Sequence, residues 1–512
     1  MSEEIKKQSS SNSRRDFIKN TAMASAGFFI VPRFVLGGKG FIAPSDRLLV
    51  AGIGVGGKGE SDIMNFFRSG KADIAFLCDV DDRRAANSVK AFPKAKYYKD
   101  WREMLDKESK NFDAVSVSTP DHNHAAPALA AMQLGKHVYV QKPLTHDIYE
   151  ARVLTEAAKR YKVVTQMGNQ GASGDGTRVM KEWFDAGLIG DVHTIYAWTD
   201  RPVWPQGIPW PGQKAEVPKG LDWNLWLGTA PYKDYVEKIV PFNWRGWWDY
   251  GTGALGDMGA HMLEVAFRVL DLRYATDVQA SVGSVYVDEF KRGYFPESCP
   301  PSSHVTLTFP KTAKTKGPVK VHWMDGGIQP ERPEELGPNE VFGDGGNGTL
   351  FIGTKGKMMC GTYGVNPRLL PTSLTKLQKV MRPSNNPNVP AREVEEVIYP
   401  YPGVKNPLPR VPGGAEGHYA QWVEACIPGP GKNEVSSPFE VAGPLTELLL
   451  MANLAIRASD IRKPRENGNG FTYPGRNIKL VWDNAAMKVT NFDDVNQFVR
   501  RQYREGYNLK WS

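Results

Sequence analysis

The stretch Val50-Ala51-Gly52-Ile53-Gly54-Val55-Gly56-Gly57 sets Gly52, Gly54 and Gly57 in the G-x-G-x-x-G spacing of a dinucleotide pyrophosphate turn. In this spacing Gly52 permits the tight turn and Gly54 lets the main chain approach the phosphates. Gly57 lets the following helix pack against the strand, and Val55 and Gly56 complete the loop. The N-terminus of that helix favours phosphate charge. The chemistry implied is hydride transfer with a nicotinamide cofactor. Asp79, 22 residues past Gly57, ends the next apolar run and is placed to accept hydrogen bonds from ribose hydroxyls. Its charge repels a 2′-phosphate, which favours NAD, while Arg83 and Arg84 keep NADP open because either can pair with that phosphate. His122 and His124 form an H-x-H beside Asp121, but the sequence offers no third ligand cluster and a metal is not expected.

The elements that must position these residues follow from periodicity. Apolar runs at Leu48 to Ile53, Asp73 to Cys78, Phe112 to Ser118, His137 to Val140 and Lys162 to Met167 alternate with helical stretches such as Ala125 to Leu134. That alternation predicts a parallel sheet covered on both faces, an α/β Rossmann domain over residues 45–168. The remainder, 169–512, is richer in Pro, Gly and Trp. Its strands Val192 to Ala197, Ala280 to Val287, Val305 to Phe309 and Val319 to Trp323 alternate as in a mostly antiparallel sheet with one open face, an α+β domain. Helices from Ala415 to Ile427 and from Pro438 to Ile456 are expected to pack back onto the first domain.

Residues 1–44 read as a signal and linker. Arg14-Arg15 precede a modest apolar run, Thr21 to Val31, in the pattern of a twin-arginine export signal. About 11 apolar residues fall short of the roughly 20 that span a bilayer, so a periplasmic protein with no stable membrane span is expected unless the signal stays uncleaved. The 512 residues exceed one ordinary core. The net charge of +8 is spread without a basic block, which argues against nucleic-acid binding. Cys78, Cys299, Cys360 and Cys426 are far apart and indicate no disulfide.

Three further motifs occur in order: Ser118-Thr119-Pro120-Asp121-His122-Asn123-His124, then Gln141-Lys142-Pro143, then Gly251-Thr252-Gly253-Ala254-Leu255-Gly256-Asp257-Met258-Gly259-Ala260-His261. With the glycine run they resemble the glucose-fructose oxidoreductase, inositol dehydrogenase and rhizopine-catabolism protein (Gfo/Idh/MocA) family over roughly residues 45–460. The resemblance implies a Rossmann domain joined to a larger open-sheet domain, action on sugar or polyol hydroxyls, and a catalytic lysine, aspartate and histidine at Lys142, Asp257 and His261. It also implies that Ser118, Thr119, Pro120, Asn123, His124, Gln141 and Lys142 surround the nicotinamide. Asn169 and Gln170, after the last Rossmann strand, are further candidates for its border. The chemistry is sound in itself: alcohol oxidation needs a base on the hydroxyl, which suits His261, and a cation on the developing oxyanion, which suits Lys142. Asp257, four residues before His261 on a helix, is expected to orient the imidazole. One departure stands out. The family has Glu before the lysine, where this chain has Gln141.

Of 14 tryptophans, eight lie between Trp198 and Trp248, a density that suits stacking on sugar rings. Arg245 and Trp248 are the expected ligand neighbours, beside Lys142, Asp257 and His261. The sequence therefore predicts an exported NAD-dependent oxidoreductase of a sugar or glycoside, at C3 of a hexosyl unit by family analogy. Two alternatives are an NAD-dependent glycoside hydrolase acting by transient C3 oxidation and elimination, and a non-catalytic carbohydrate-binding scaffold. Export implies tightly held NAD, and by analogy with the resembling family the open sheet suits a homo-oligomer.

Overall fold

The computed structural model describes residues 46–382, 390–427 and 434–511. The arginine pair and the apolar run of the expected signal lie outside them. Met1–Arg47 and Leu48–Ser512 are separate units, and the architecture that follows is that of the second.

Six parallel strands open the chain: β1 (Leu48–Ile53), β2 (Ala72–Cys78), β3 (Lys96–Tyr98), β4 (Ala114–Val117), β5 (His137–Gln141) and β6 (Thr165–Gly168), in the order β3-β2-β1-β4-β5-β6. Every residue of β4 is buried, as a strand covered on both faces requires. The crossovers are α1 (Lys58–Arg68), α2 (Asp82–Ala91), α3 (Trp101–Glu108), α4 (Ala125–Gln133) and α5 (Ile148–Tyr161). Carboxylates fix where several begin: Asp81 accepts from Arg83 N, Asp100 from Arg102 N, and Asp147 forms a capping box with Glu150. The strand order reverses between β1 and β4. That crevice, at the carboxyl ends of the strands, is where this topology gathers ligand-binding loops.

The second sheet has nine strands: β7 (Val192–Trp198), β8 (Asp277–Val282), β9 (Ser303–Phe309), β10 (Val319–Met324), β11 (Gly348–Gly353), β12 (Lys357–Cys360), β13 (Arg368–Leu370), β14 (Leu480–Asp483) and β15 (Lys488–Val489). They run β13-β12-β11-β7-β10-β9-β8-β14-β15, antiparallel except for the pair β7 and β10. The run expected at Ala280 to Val287 instead leaves the sheet after Val282, and Tyr286–Asp288 turns into a two-stranded ribbon with Lys291–Arg292. The same part of the chain forms α6 (Asp175–Asp185), α7 (Gly253–Val269), α8 (His418–Cys426) and α9 (Phe439–Ala458). α8 packs on α1, while α9 packs on α5, β6, β8 and α7. Though long and apolar enough to cross a bilayer, α9 is buried along nearly its whole length as a core helix. Each leucine it buries, such as Leu445 and Leu449, contributes about 1.5–3 kcal/mol. The α7–α9 crossing is close: a Cβ on Gly259 would stand 2.6 Å from Leu449 Cδ2. All four cysteines are buried and free.

Candidate active site

A cavity of about 580 Å³ opens at the β1–β4 crevice and runs to the N-terminal half of α7. One wall is built from strand ends. Gly54, Gly56, Asp79, Ser118, Thr119, Pro120, Asn123, Gln141 and Lys142 line it, joined by Lys58 and Arg84. The glycine turn sits two residues later than its spacing suggested. Gly52 is inside β1, paired with Leu77 and Ser116, whereas Gly54 makes the turn at φ 74°. A Cβ on Gly59 would lie 1.7 Å from the Gly54 carbonyl oxygen, so Gly59, not Gly57, is the residue that lets α1 close on β1. The working triplet is Gly54, Gly56 and Gly59, which leaves Asp79 twenty residues further on, the spacing of a ribose-binding acid. Arg84 explains the shift at Gly57: its guanidinium lies across the loop, 2.5 Å from where a Gly57 Cβ would stand.

Asp79 Oδ2 accepts from Val55 N at 2.9 Å and Gly56 N at 3.1 Å, and Oδ1 accepts from Asp81 N at 2.9 Å. Burial raises its pKa to about 6 against the pull of those donors. Arg83 is spent on Asp81, held by Nε at 2.8 Å and Nη2 at 2.6 Å. The start of α1 carries no side-chain cap, and its first residue, Lys58, lines the cavity. An uncapped helix N-terminus beside a glycine cradle that side chains would fill fits a dinucleotide pyrophosphate.

At the far end Lys142 Nζ donates to Asp257 Oδ1 at 2.9 Å and to the Asp257 carbonyl at 2.8 Å. Arg245 Nε donates to the same Oδ1 at 3.2 Å. Burial pushes the Asp257 carboxyl up, but Lys142 and Arg245 together outweigh it and hold the pKa at about 2. His261 lines the cavity beside them, and burial, followed by the Lys142 charge, keeps it well below the ordinary histidine value, hence neutral.

Asp257 does not orient His261, against the sequence expectation, because both cations claim its carboxylate. Asn169 does. Its Nδ2 donates to the Ala260 carbonyl at 2.9 Å and to Glu264, itself paired with Arg268, which turns Oδ1 toward His261 Nδ1 at 3.0 Å. An acceptor there keeps the proton on Nδ1 and leaves Nε2 with its lone pair. Tyr363 packs edge-on at 4.4 Å between ring centroids. It is a non-glycine residue at φ 62°, a costly conformation that recurs at functional sites.

Several expected contacts stand behind the walls. Gly52, Val55, Gly57, His124 and Asn169 do not line the cavity. His124 has both ring nitrogens against main-chain carbonyls, Pro143 and Thr119, each at 2.8 Å, so it braces the two loops. His122 is wedged between the Tyr250 and Trp226 carbonyls. Trp248 is a core residue over the Arg457 guanidinium, facing a separate small void. Arg245 does line the cavity, its guanidinium stacked on Trp244 at 4.3 Å and Phe242 at 4.4 Å. The sequence missed Trp204, Trp226, Trp244 and Phe242 as the aromatic wall, with Lys58, Gly59 and Tyr363. Only the tryptophan density pointed to that wall, without choosing its members.

Residues 48–169 match the Gfo/Idh/MocA oxidoreductase family model described as the NAD-binding Rossmann fold, and residues 191–287 match the model of its C-terminal alpha/beta domain. A levoglucosan dehydrogenase of Pseudarthrobacter phenanthrenivorans is 24% identical over 190 residues, 37% of this chain and 40% of that protein. A glycosyl hydrolase family 109 protein of Shewanella pealeana is 27% identical over 170 residues, 29% of this chain and 37% of that protein. The match thus spans about two fifths of the length of these curated relatives. Among solved structures, the WlbA dehydrogenase of Bordetella pertussis, in complex with NADH and UDP-GlcNAcA, aligns with a TM-score of 0.52 at 15% identity, covering 81% of this chain and 98% of that one. Levoglucosan dehydrogenase in complex with NADH and levoglucosan aligns at 0.51 and 17% identity, covering 81% and 98%. At such identities these structures establish the fold.

Proposed function

We propose, from the premise that the chain belongs to the Gfo/Idh/MocA oxidoreductase family, that it is an exported, periplasmic NAD-dependent enzyme interconverting a secondary hydroxyl and a ketone at C3 of a hexosyl unit. The observation that carries the reading is the meeting, in one cavity, of the glycine turn with Lys142, Asp257 and a neutral His261. Gly54, Gly56, Asp79 and the first turn of α1 would hold NAD, which when bound supplies the hydride acceptor. Asp79 favours NAD over NADP, since its carboxylate would repel a 2′-phosphate.

His261 Nε2 takes the hydroxyl proton, and Asn169 keeps Nδ1–H in place so that the lone pair faces the cavity. Lys142 donates to the same oxygen as its charge develops. Asp257 holds Lys142 and Arg245 in register, which fixes the direction of both cations without a group of its own on the substrate. Trp204, Trp226 and Trp244 line the cavity and would add apolar surface beside a sugar ring.

A second reading has an observation of its own, the likeness of part of the chain to glycosyl hydrolase family 109 proteins. There the oxidation is transient, the aglycone leaves by elimination, and no net redox change remains. Incubation with a panel of glucosides and 3-keto-glucosides, followed by mass spectrometry and NMR, separates the two: a stable keto-sugar supports the oxidoreductase, and free aglycone with unchanged redox state supports the hydrolase. Export of a folded chain favours NAD held tightly enough to copurify, which the absorbance and mass spectrum of protein purified without nucleotide will test.

A further inference from the structure

Asp62, one turn into α1, is fully buried and has no part in the chemistry above. Its carboxylate accepts from Lys58 Nζ, from Ser118 Oγ at 2.8 Å and from Gln141 Nε2 at 2.8 Å. The three donors come from the glycine-turn helix, the turn after β4 and the end of β5, the segments that form the Lys142 end of the cavity wall. Lys58 also lies 2.7 Å from Tyr419 Oη of α8, which in turn takes a hydrogen bond from Gln170 at 3.2 Å. Lys58 and Gln141 line the cavity with Lys142 and His261, and the Asp62 carboxylate, which does not line it, holds both through hydrogen bonds.

We propose that Asp62 is a positioning residue that supplies, from α1, the buried negative charge backing the cofactor's reacting ring, in place of a carboxylate at position 141. The proposal rests on the proposed function, since it takes the reacting ring to lie at the Lys142–His261 end. Position 141 is an amide, and Asp62 holds that amide directly. It also offsets Lys58, whose cation would otherwise face a positively charged ring with no counter-charge behind it.

Oxidised and reduced cofactor differ by one charge on that ring. A charge removed from behind it must change the two affinities unequally, whereas loosened packing weakens both alike. The test is a titration of NAD⁺ and NADH, followed by protein fluorescence, on nucleotide-stripped full-length chain carrying Asp62→Asn, Gln141→Glu, or both, with thermal melts alongside. Asp62→Asn is expected to weaken NAD⁺ relative to NADH at least about fivefold, the effect of one charge whose field is partly screened by the polar groups between it and the ring. The double variant returns a carboxylate to the cluster and restores the ratio to within about twofold. Equal weakening of both forms by Asp62→Asn, or a double variant no better than the single, overturns the proposal while leaving the proposed function standing. Should Asp62→Asn fail to fold, Lys58→Met keeps the question open to measurement: removing the cation must shift the ratio toward NAD⁺, and an unchanged ratio overturns the proposal. Failure of the unaltered chain to bind either form would sink the proposed function and this inference with it.

Discussion

The two walls of the cavity are built by different rules. The cofactor wall is made of strand ends in a single sheet, so each of its residues follows its strand by a few positions, and neighbours in space are set by strand order. The catalytic and aromatic wall is gathered from α7, the segment 199–250 with its two short helices Trp223–Leu227 and Asn243–Gly246, and Tyr363 between β12 and β13. Local geometry fixes the first wall, and long-range packing fixes the second. Substitutions in the two walls should therefore fail differently: the cofactor wall by losing the nucleotide, the catalytic wall by losing turnover while the nucleotide stays.

The largest expected effect is on the catalytic side. His261→Ala should lower kcat about 10³-fold, within the range of a lost general base. Lys142→Ala should lower it about 10²–10³-fold, as a lost oxyanion donor does. In both, NAD affinity should stay within a few-fold of the unaltered protein, measured by titration. Near-normal turnover in both variants, or loss of NAD in either, would erase the distinction between the walls.

Next comes the glycine register. Gly59→Ala places a methyl 1.7 Å from the Gly54 carbonyl oxygen, against backbone that cannot rotate away. Gly52→Ala meets only Val55 Cγ1 at 2.8 Å and Ile63 Cγ2 at 3.0 Å. We expect Gly59→Ala to cost about 3 kcal/mol or more, or to abolish NAD binding, and Gly52→Ala to cost about 1–2 kcal/mol. Denaturant melts and NAD titration check this. The reverse order would return the turn to the Gly52, Gly54 and Gly57 spacing.

That register error shows where sequence reasoning reached its limit. The glycine run identified the element and its chemistry, because any strand-to-helix turn on a pyrophosphate needs glycine. It could not choose between triplets offset by two, since Gly52, Gly54, Gly56, Gly57 and Gly59 all crowd the turn, and only packing of α1 on β1 decides. The parallel sheet was legible from its apolar runs, and the second sheet from alternation. Asp257 illustrates the other limit. The i, i+4 spacing put it on the His261 face of α7, but Lys142, 115 residues earlier, and Arg245 competed for its carboxylate and won. Asn169 looked like a turn residue, and its hold on His261 depends on Glu264 and Arg268, which no local pattern connects to it.

Arg245 and Trp248 are three residues apart in sequence, the first in that second wall and the second in the core outside it, and should part company. The flat guanidinium of Arg245 packs on the rings of Trp244 and Phe242 while Nε reaches Asp257, a set of contacts that a lysine ammonium cannot reproduce. Arg245→Lys is expected to raise KM for the sugar about tenfold, the order of one misplaced charged hydrogen bond. Trp248→Phe should leave KM unchanged and lower Tm by a few degrees, since the ring packs in the core over Arg457. Equal effects on KM would mean that the sugar wall extends past the cavity described above.

The smallest effect separates the walls by pH. In the protein without nucleotide, burial holds the Asp79 carboxyl near 6, so between pH 7 and 5 the cofactor wall gains a proton. His261 is pushed the other way, its value well below 6.5, so over the same interval the catalytic base stays neutral. The sign for binding follows: NAD hydroxyls donate to the ionised Asp79, affinity is nearly complete at about pH 7, about halved near pH 6, and weakens by at most about tenfold per unit as the pH falls further. With NAD already bound, hydroxyl donors favour the ionised carboxylate and draw its pKa down, so the loaded enzyme is less sensitive. The sign for the base is also fixed. Its active neutral form persists as the pH falls through 6.5 and is lost only further into acid. We therefore expect Kd for NAD, measured by titration, to rise several-fold from pH 7 to pH 5, while single-turnover rates of preloaded enzyme stay level down to pH 6. A single-turnover rate that halves near pH 6.5 would assign His261 an ordinary, solvated pKa, and the buried neutral base at the centre of the catalytic wall would have to be abandoned.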